Sequence, residues 1–143
     1  MKPSKIEPCY WSIEKMPGLS ITDQKLLLQH GIQTTFDLLK QSQTPQAKQL
    51  LASRLKLSLM QLSKWIALAD LGRIPSVSHL YCGLLLHSGI ISMGQLAQTP
   101  LAKIHPTIKR LHVATMQRND LVPTVGQVGH WIEEAKVLTH KLK

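Results

Sequence analysis

Two stretches of this chain carry one pattern, and that pattern limits the fold more than any other feature. Residues Met16–Lys40 read MPGLSITDQKLLLQHGIQTTFDLLK, and residues Ile74–Gln98 read IPSVSHLYCGLLLHSGIISMGQLAQ. At an offset of 58 residues they align without a gap. Pro17/Pro75, Ser20/Ser78, Leu26/Leu84, Leu27/Leu85, Leu28/Leu86, Gly31/Gly89, Ile32/Ile90 and Leu38/Leu96 coincide, 8 identities in 25. Any two leucine-rich helices can share leucines. The proline, the serine and the Gly-Ile pair in register point instead to an internal duplication.

Local chemistry predicts turn, helix, glycine, turn, helix for this unit. Ser20 is placed to cap a helix over Ile21–His30, with Asp23 as its capping-box partner. Gly31 can take the left-handed conformation that ends the helix, and Ile32 then returns to the core. Thr34-x-x-Asp37 caps a short second helix carrying Phe36, Leu38 and Leu39.

Two further helices are expected after each unit. Thr44 precedes Pro45 at a first helical position, and the helix runs to about Lys56, burying Ala47, Leu50, Leu51 and Leu55. Ser58-x-x-Gln61 is another capping box, opening a helix that holds Leu62, Trp65, Ile66 and Ala69 and ends near Gly72. The second half repeats the order with Gln98-Thr99-Pro100, then Thr124-x-x-Gln127, then Trp131 in the place of Trp65. Its extra residues fall within Ile104–Val122, where Pro106 is expected to break or start a helix. A final amphipathic helix is expected over Val125–Leu142.

No stretch alternates with period two over six residues, so strands are not expected. The expected fold is all-α, with nine or ten short helices in two tandem pseudo-repeats packed as one compact unit. Residues 1–15 form a leader, 16–72 the first repeat and 73–143 the second. Trp11 is expected to plug the core from the leader, and Trp65 and Trp131 to act as packing anchors rather than base-stacking platforms.

Charge narrows the function classes. Lys plus Arg number 17 against 8 Asp plus Glu, a formal +9. There is no acid between Asp37 and Asp70, where Lys40, Lys48, Arg54, Lys56 and Lys64 lie. There is none between Asp70 and Asp120, where Arg73, Lys103, Lys109, Arg110 and Arg118 lie. Acid-free basic stretches on a folded domain suggest a polyanionic partner, most often nucleic acid. The bland alternative is a solvated basic face that keeps the protein soluble.

No run approaches the roughly 18–20 apolar residues that span a bilayer, and the start lacks a signal core. Cys9 and Cys82 are far apart and not in CxxC spacing, so a reducing cytoplasmic setting is expected. His79, Cys82 and His87 lack the spacing of a structural zinc site. No phosphate loop and no triad-like arrangement is visible, so neither catalysis nor a cofactor is expected.

The residues of both units resemble the helix-hairpin-helix motif: hydrophobic-Pro-Gly-hydrophobic-Gly, a helix, Gly-Ile-x-Thr, a helix. Gly18 to Ile32 and Ser76 to Ile90 have its spacing. From about Met16 to Leu138 the chain also resembles an uncharacterised, mainly cyanobacterial family, domain-of-unknown-function family four-three-three-two. The motif implies a helical fold of the SAM and helix-hairpin-helix type and sequence-independent binding of DNA, more than RNA. Its backbone amides at Gly18, Leu19 and Ser20, and at Ser76, Val77 and Ser78, would meet phosphate. Lys15 and Arg73 flank the hairpins, and Lys103, Lys109, Arg110 and Arg118 would add electrostatic grip. The chain departs from the motif in places. Ser20 and Ser78 stand at its second glycine and Ser76 at its first. Ile21-Thr22 and His79-Leu80 stand where a basic residue is common, and Gln24 and Cys82 where a small residue is. A serine Cβ holds phosphate further from the backbone. The same fold also serves protein docking, so an adaptor for an acidic protein partner is the alternative.

Overall fold

Gly31 and Gly89 close their helices as their chemistry demands. In the computed structural model, which describes residues 6–116 and 122–142 (side chains of 112–116 excepted), Gly31 has φ +78° and Gly89 φ +96°. At the first, Ile32 N–H donates to Leu27 O at 3.0 Å and Gly31 N–H to Leu28 O at 3.1 Å. At the second, Ile90 N–H donates to Leu85 O and Gly89 N–H to Leu86 O at the same distances. This is the glycine-closed helix end in which the following apolar residue tucks under the last turn. Leu27, Ile32, Leu85 and Ile90 are all buried.

Eight α-helices and one 3-10 turn make up the described residues, and the fold is all-α. The turn is Ile13–Lys15, followed by α1 (Ile21–Gln29), α2 (Thr35–Lys40), α3 (Pro45–Leu55) and α4 (Leu59–Gly72). The second half has α5 (Ser78–His87), α6 (Met93–Ala97), α7 (Leu101–Met116) and α8 (Val125–Lys141). No described helix is long and apolar enough to cross a membrane. The centre is α4 against α5. Helices α2 and α3 pack on α4, and α8 packs on α6 and α7. A single buried cluster runs from Trp11 to Leu138 through both halves, with Trp65 and Trp131 among its largest members.

The caps divide into full and half versions. Thr34/Asp37 and Thr124/Gln127 form complete capping boxes. Ser20 and Ser58 each accept the N3 amide at 3.1 Å, but Asp23 and Gln61 do not return the bond. The second Thr-Pro departs further. Thr99 does not cap α7. Its hydroxyl donates back to Gln95 O at 2.7 Å, and Pro100 O accepts the first helical bond from Ile104 N–H. Helix α3 begins at Pro45, directly after Thr44, but α7 begins at Leu101, one residue further past its Thr-Pro, so Thr99 lies one position outside the capping place.

Pro106 neither breaks nor starts a helix. It lies inside α7. Pro106 and Ala102 are exposed, so the carbonyl that loses its proline partner faces water. Thr107 Oγ1 donates to the neighbouring Lys103 O at 3.3 Å. An interior proline costs about 3 kcal/mol, while Ile104 and Ile108 on either side are buried and contribute about 1.5–3 kcal/mol each. Packing therefore carries the helix through. In α3, Leu50 is 63% exposed rather than buried; the stripe rotates onto Leu51, Ala52 and Leu55.

Residues before the first hairpin are tied into the body. Cys9 N–H donates to Arg73 O at 2.7 Å, and Ser12 forms an isolated bridge with Thr34. Trp11 exchanges bonds with Thr35: its N–H reaches Thr35 Oγ1 at 3.2 Å, and its carbonyl accepts Thr35 N–H at 2.9 Å. Its indole Nε1–H donates to Gly72 O at 3.0 Å, and its ring stands edge-on to His79 at 5.8 Å between centroids. One residue thus joins α2 through its backbone, and the end of α4 and the start of α5 through its side chain.

Candidate nucleic-acid interface

The two hairpin turns have the same length and opposite chemistry. In the first, Gly18 adopts φ +78°, a conformation that favours glycine, and Leu19 N–H closes the turn on Met16 O at 3.3 Å. Met16 and Leu19 are buried and hold the turn down. Ser20 is extended and its hydroxyl caps α1 through Asp23 N–H. The amides of Gly18 and Ser20 have no partner among the described residues, and a Cβ at Gly18 would meet open space. Of the three amides expected to face phosphate, Leu19 is therefore spent on the turn, and Gly18 and Ser20 are available. Lys15 is exposed beside them, at the end of the 3-10 turn.

At the second turn all three expected donors are engaged. Val77 N–H and Ser78 N–H both donate to Ile74 O at 2.9 Å, and Ser76 N–H donates to Glu134 Oε1 at 2.9 Å. Serine at 76 does not take the left-handed conformation of Gly18; that conformation appears two residues on, at Ser78 with φ +51°. Ser78 thus enters α5 without capping it, and Val77 is buried. Arg73 is not a free cation here. Its guanidinium pairs with Asp70 at 2.5 Å, and its Nε is buried without an acceptor among the described residues. The second hairpin presents a carboxylate where the motif would present bare amides, so Arg73, Ser76, Val77 and Ser78 do not assemble a phosphate cradle.

Glu134 is the residue that sequence reasoning passed over. It lies on the buried stripe of α8 with Trp131, Ala135 and Leu138, at i, i+3, i+4 and i+7, and is 5% exposed. A carboxylate on a core stripe has to find donors there. It finds Ser76 N–H and, at 3.1 Å, His130 Nε2.

Helix α7 supplies the expected cations. Lys103 and Arg110 lie seven residues apart, about two turns, on one outer face, with Lys109 at its margin. All three are exposed, and none has an ion pair among the described residues. Arg118 lies outside the described residues. His79 and Cys82 take structural roles. His79 packs on Trp11, and Cys82 is fully buried, its thiol pushed up to about 12 by that burial. Such a thiol stays protonated and unreactive at neutral pH.

The model of one protein family, Domain of unknown function (DUF4332), matches residues 17–138. The chain belongs to this family. The DUF4332 segment takes in both hairpins, α1 to α7 and most of α8. Trp11, which closes the core, lies just before it. No curated protein and no solved structure matches the chain.

Proposed function

We propose that this DUF4332 protein is a cytoplasmic, non-enzymatic nucleic-acid-binding protein that holds duplex DNA without sequence preference. The outer face of α7 carries the reading: Lys103, Lys109 and Arg110 are exposed, have no ion pair among the described residues and have no acidic neighbour along that helix. Three such cations neutralise backbone phosphates whatever the base sequence. The first hairpin adds a helix-hairpin-helix end where the Gly18 and Ser20 amides and Lys15 suit one further phosphate. The halves, read as tandem repeats, are then unequal partners, since Glu134 occupies the second hairpin.

A titration of labelled duplex DNA at several salt concentrations tests this. Four phosphate contacts, three on α7 and one at the first hairpin, predict a slope of about −3.6 in log K against log salt. Lys109→Ala with Arg110→Ala removes two of them and lowers the slope by about two. No binding at low salt, or an unchanged slope in the double variant, refutes the proposal. A second reading, an adaptor for an acidic protein, draws on the trough between the halves.

A further inference from the structure

Between the halves runs an open trough of about 670 Å³, floored by Leu39 and Ile66 on one side and Leu86 on the other. From this trough we infer a docking site for an acidic amphipathic helix of a partner protein. The inference deepens the adaptor reading and rests on it. One face of α4 lines the trough, with residues at 60, 63, 64 and 67, the i, i+3, i+4, i+7 spacing of a helix surface. The lips are apolar and bare: Met60 is 82% exposed and Ile91 64%. A second hollow of about 270 Å³, beside Phe36 and Lys40, shares Leu39, Gln43 and Arg73 with the trough. An extended, apolar-floored channel of this kind suits a helix laid lengthwise, with a methionine on its edge that can adapt to the incoming side chains.

Charge selects the sign of the partner. Lys48 and Lys64 line the trough and have no ion pair among the described residues. The one acid among its described lining residues, Asp70, is already spent on Arg73 and on Met93 N–H, which it accepts at 2.8 Å. A helix with leucines on one face and glutamates on its flanks would bury the first against Leu39, Ile66 and Leu86, and set the second against the two lysines. Nucleic acid fits less well. Single strands are held on stacking aromatics, and no Trp, Tyr or Phe is among the described residues that line the main trough.

The probe is a synthetic helix of about 18 residues, leucine on one face and glutamate on the flanks. It is titrated against the whole protein by fluorescence anisotropy and mapped by amide chemical shifts. Shift changes should centre on Lys64, Leu86 and Ile91. Lys48→Glu with Lys64→Glu, and separately Met60→Ser with Ile91→Ser, should each weaken binding at least about tenfold. Circular dichroism should stay unchanged, because all four side chains lie at the surface. Shift changes elsewhere overturn the trough while leaving an adaptor at another site. Loss of binding in the lysine variant alone, with the Met60/Ile91 variant unaffected, means unspecific attraction and overturns it too. So does displacement of the helix by duplex DNA, or no binding at all.

Discussion

Gly72→Ala tests whether Trp11 sits where the structure puts it. Gly72 is the last residue of α4 and its φ is not in the left-handed region, so alanine is allowed by the backbone. On helix preference alone the change stabilises by about 0.5–1 kcal/mol. The indole reverses the sign. A Cβ at 72 would stand 2.4 Å from Trp11 Cζ2 and 3.0 Å from Cε2. Carbon atoms at rest lie about 3.5–4.0 Å apart, so the ring has to retreat by about 1 Å. Overpacking of this size costs about 1–3 kcal/mol. The same retreat stretches the 3.0 Å bond from Trp11 Nε1–H to Gly72 O beyond useful range, a further loss of about 0.5–1.5 kcal/mol. The net expectation is destabilisation of about 1–3 kcal/mol, or a melting point about 3–10 °C lower. Urea unfolding followed by circular dichroism measures the first, and a red shift of native tryptophan fluorescence reports the displaced ring. In a Trp11→Ala background the clash is gone, and Gly72→Ala should become stabilising by about 0.5–1 kcal/mol. A Gly72→Ala protein that is more stable than the parent, with unchanged fluorescence, would refute the placement of Trp11.

Glu134→Ala should cost about 1.5–3 kcal/mol, because Ser76 N–H loses a charged acceptor in a part-buried site. Glu134→Gln keeps an acceptor oxygen and should lose about half as much; equal stability of Glu134→Ala and the parent in urea would show the bond to be idle. Cys82 should resist thiol reagents in the native protein while the half-buried Cys9 reacts, as mass spectrometry after alkylation would show. Burial raises the Cys82 thiol from its ordinary 9.0 to about 12, so above pH 9 the unfolded chain releases a proton that the folded one keeps. Stability should therefore fall as pH rises through that window, and less steeply in Cys82→Ala; parallel pH profiles would contradict this.

Local rules were legible where the deciding forces are local. Gly31 and Gly89 end their helices because the left-handed residue has to be one without a side-chain penalty. Thr34 and Thr124 cap because their partners sit three residues away. The misread positions are those where a distant element casts the deciding vote. Pro106 stays helical because Ile104 and Ile108 are buried against other helices. Thr99 loses its capping role because α7 begins one residue further past its Thr-Pro than α3 does, and its hydroxyl turns back to Gln95 O. Leu50 turns outward because Leu51, Ala52 and Leu55 fill the space on α4.

The hairpins show how one substitution divides two similar segments. Glycine at 18 absorbs the left-handed turn at once, so Ser20 arrives extended and caps α1, and the Gly18 and Ser20 amides have no partner among the described residues. Serine at 76 defers that turn to Ser78, where a non-glycine residue in this conformation costs about 1–2 kcal/mol. The deferred turn folds the donors of Val77 and Ser78 back onto Ile74 O. It leaves Ser76 N–H pointing at α8, and an acid on the core stripe answers it. The strained serine persists because the buried Val77 and the Glu134 carboxylate hold both sides of it. Glycine at 76 would let the turn form early, as in the first hairpin, but would leave the Glu134 carboxylate on its core stripe, so the sealed end belongs to α8 as well as to the turn.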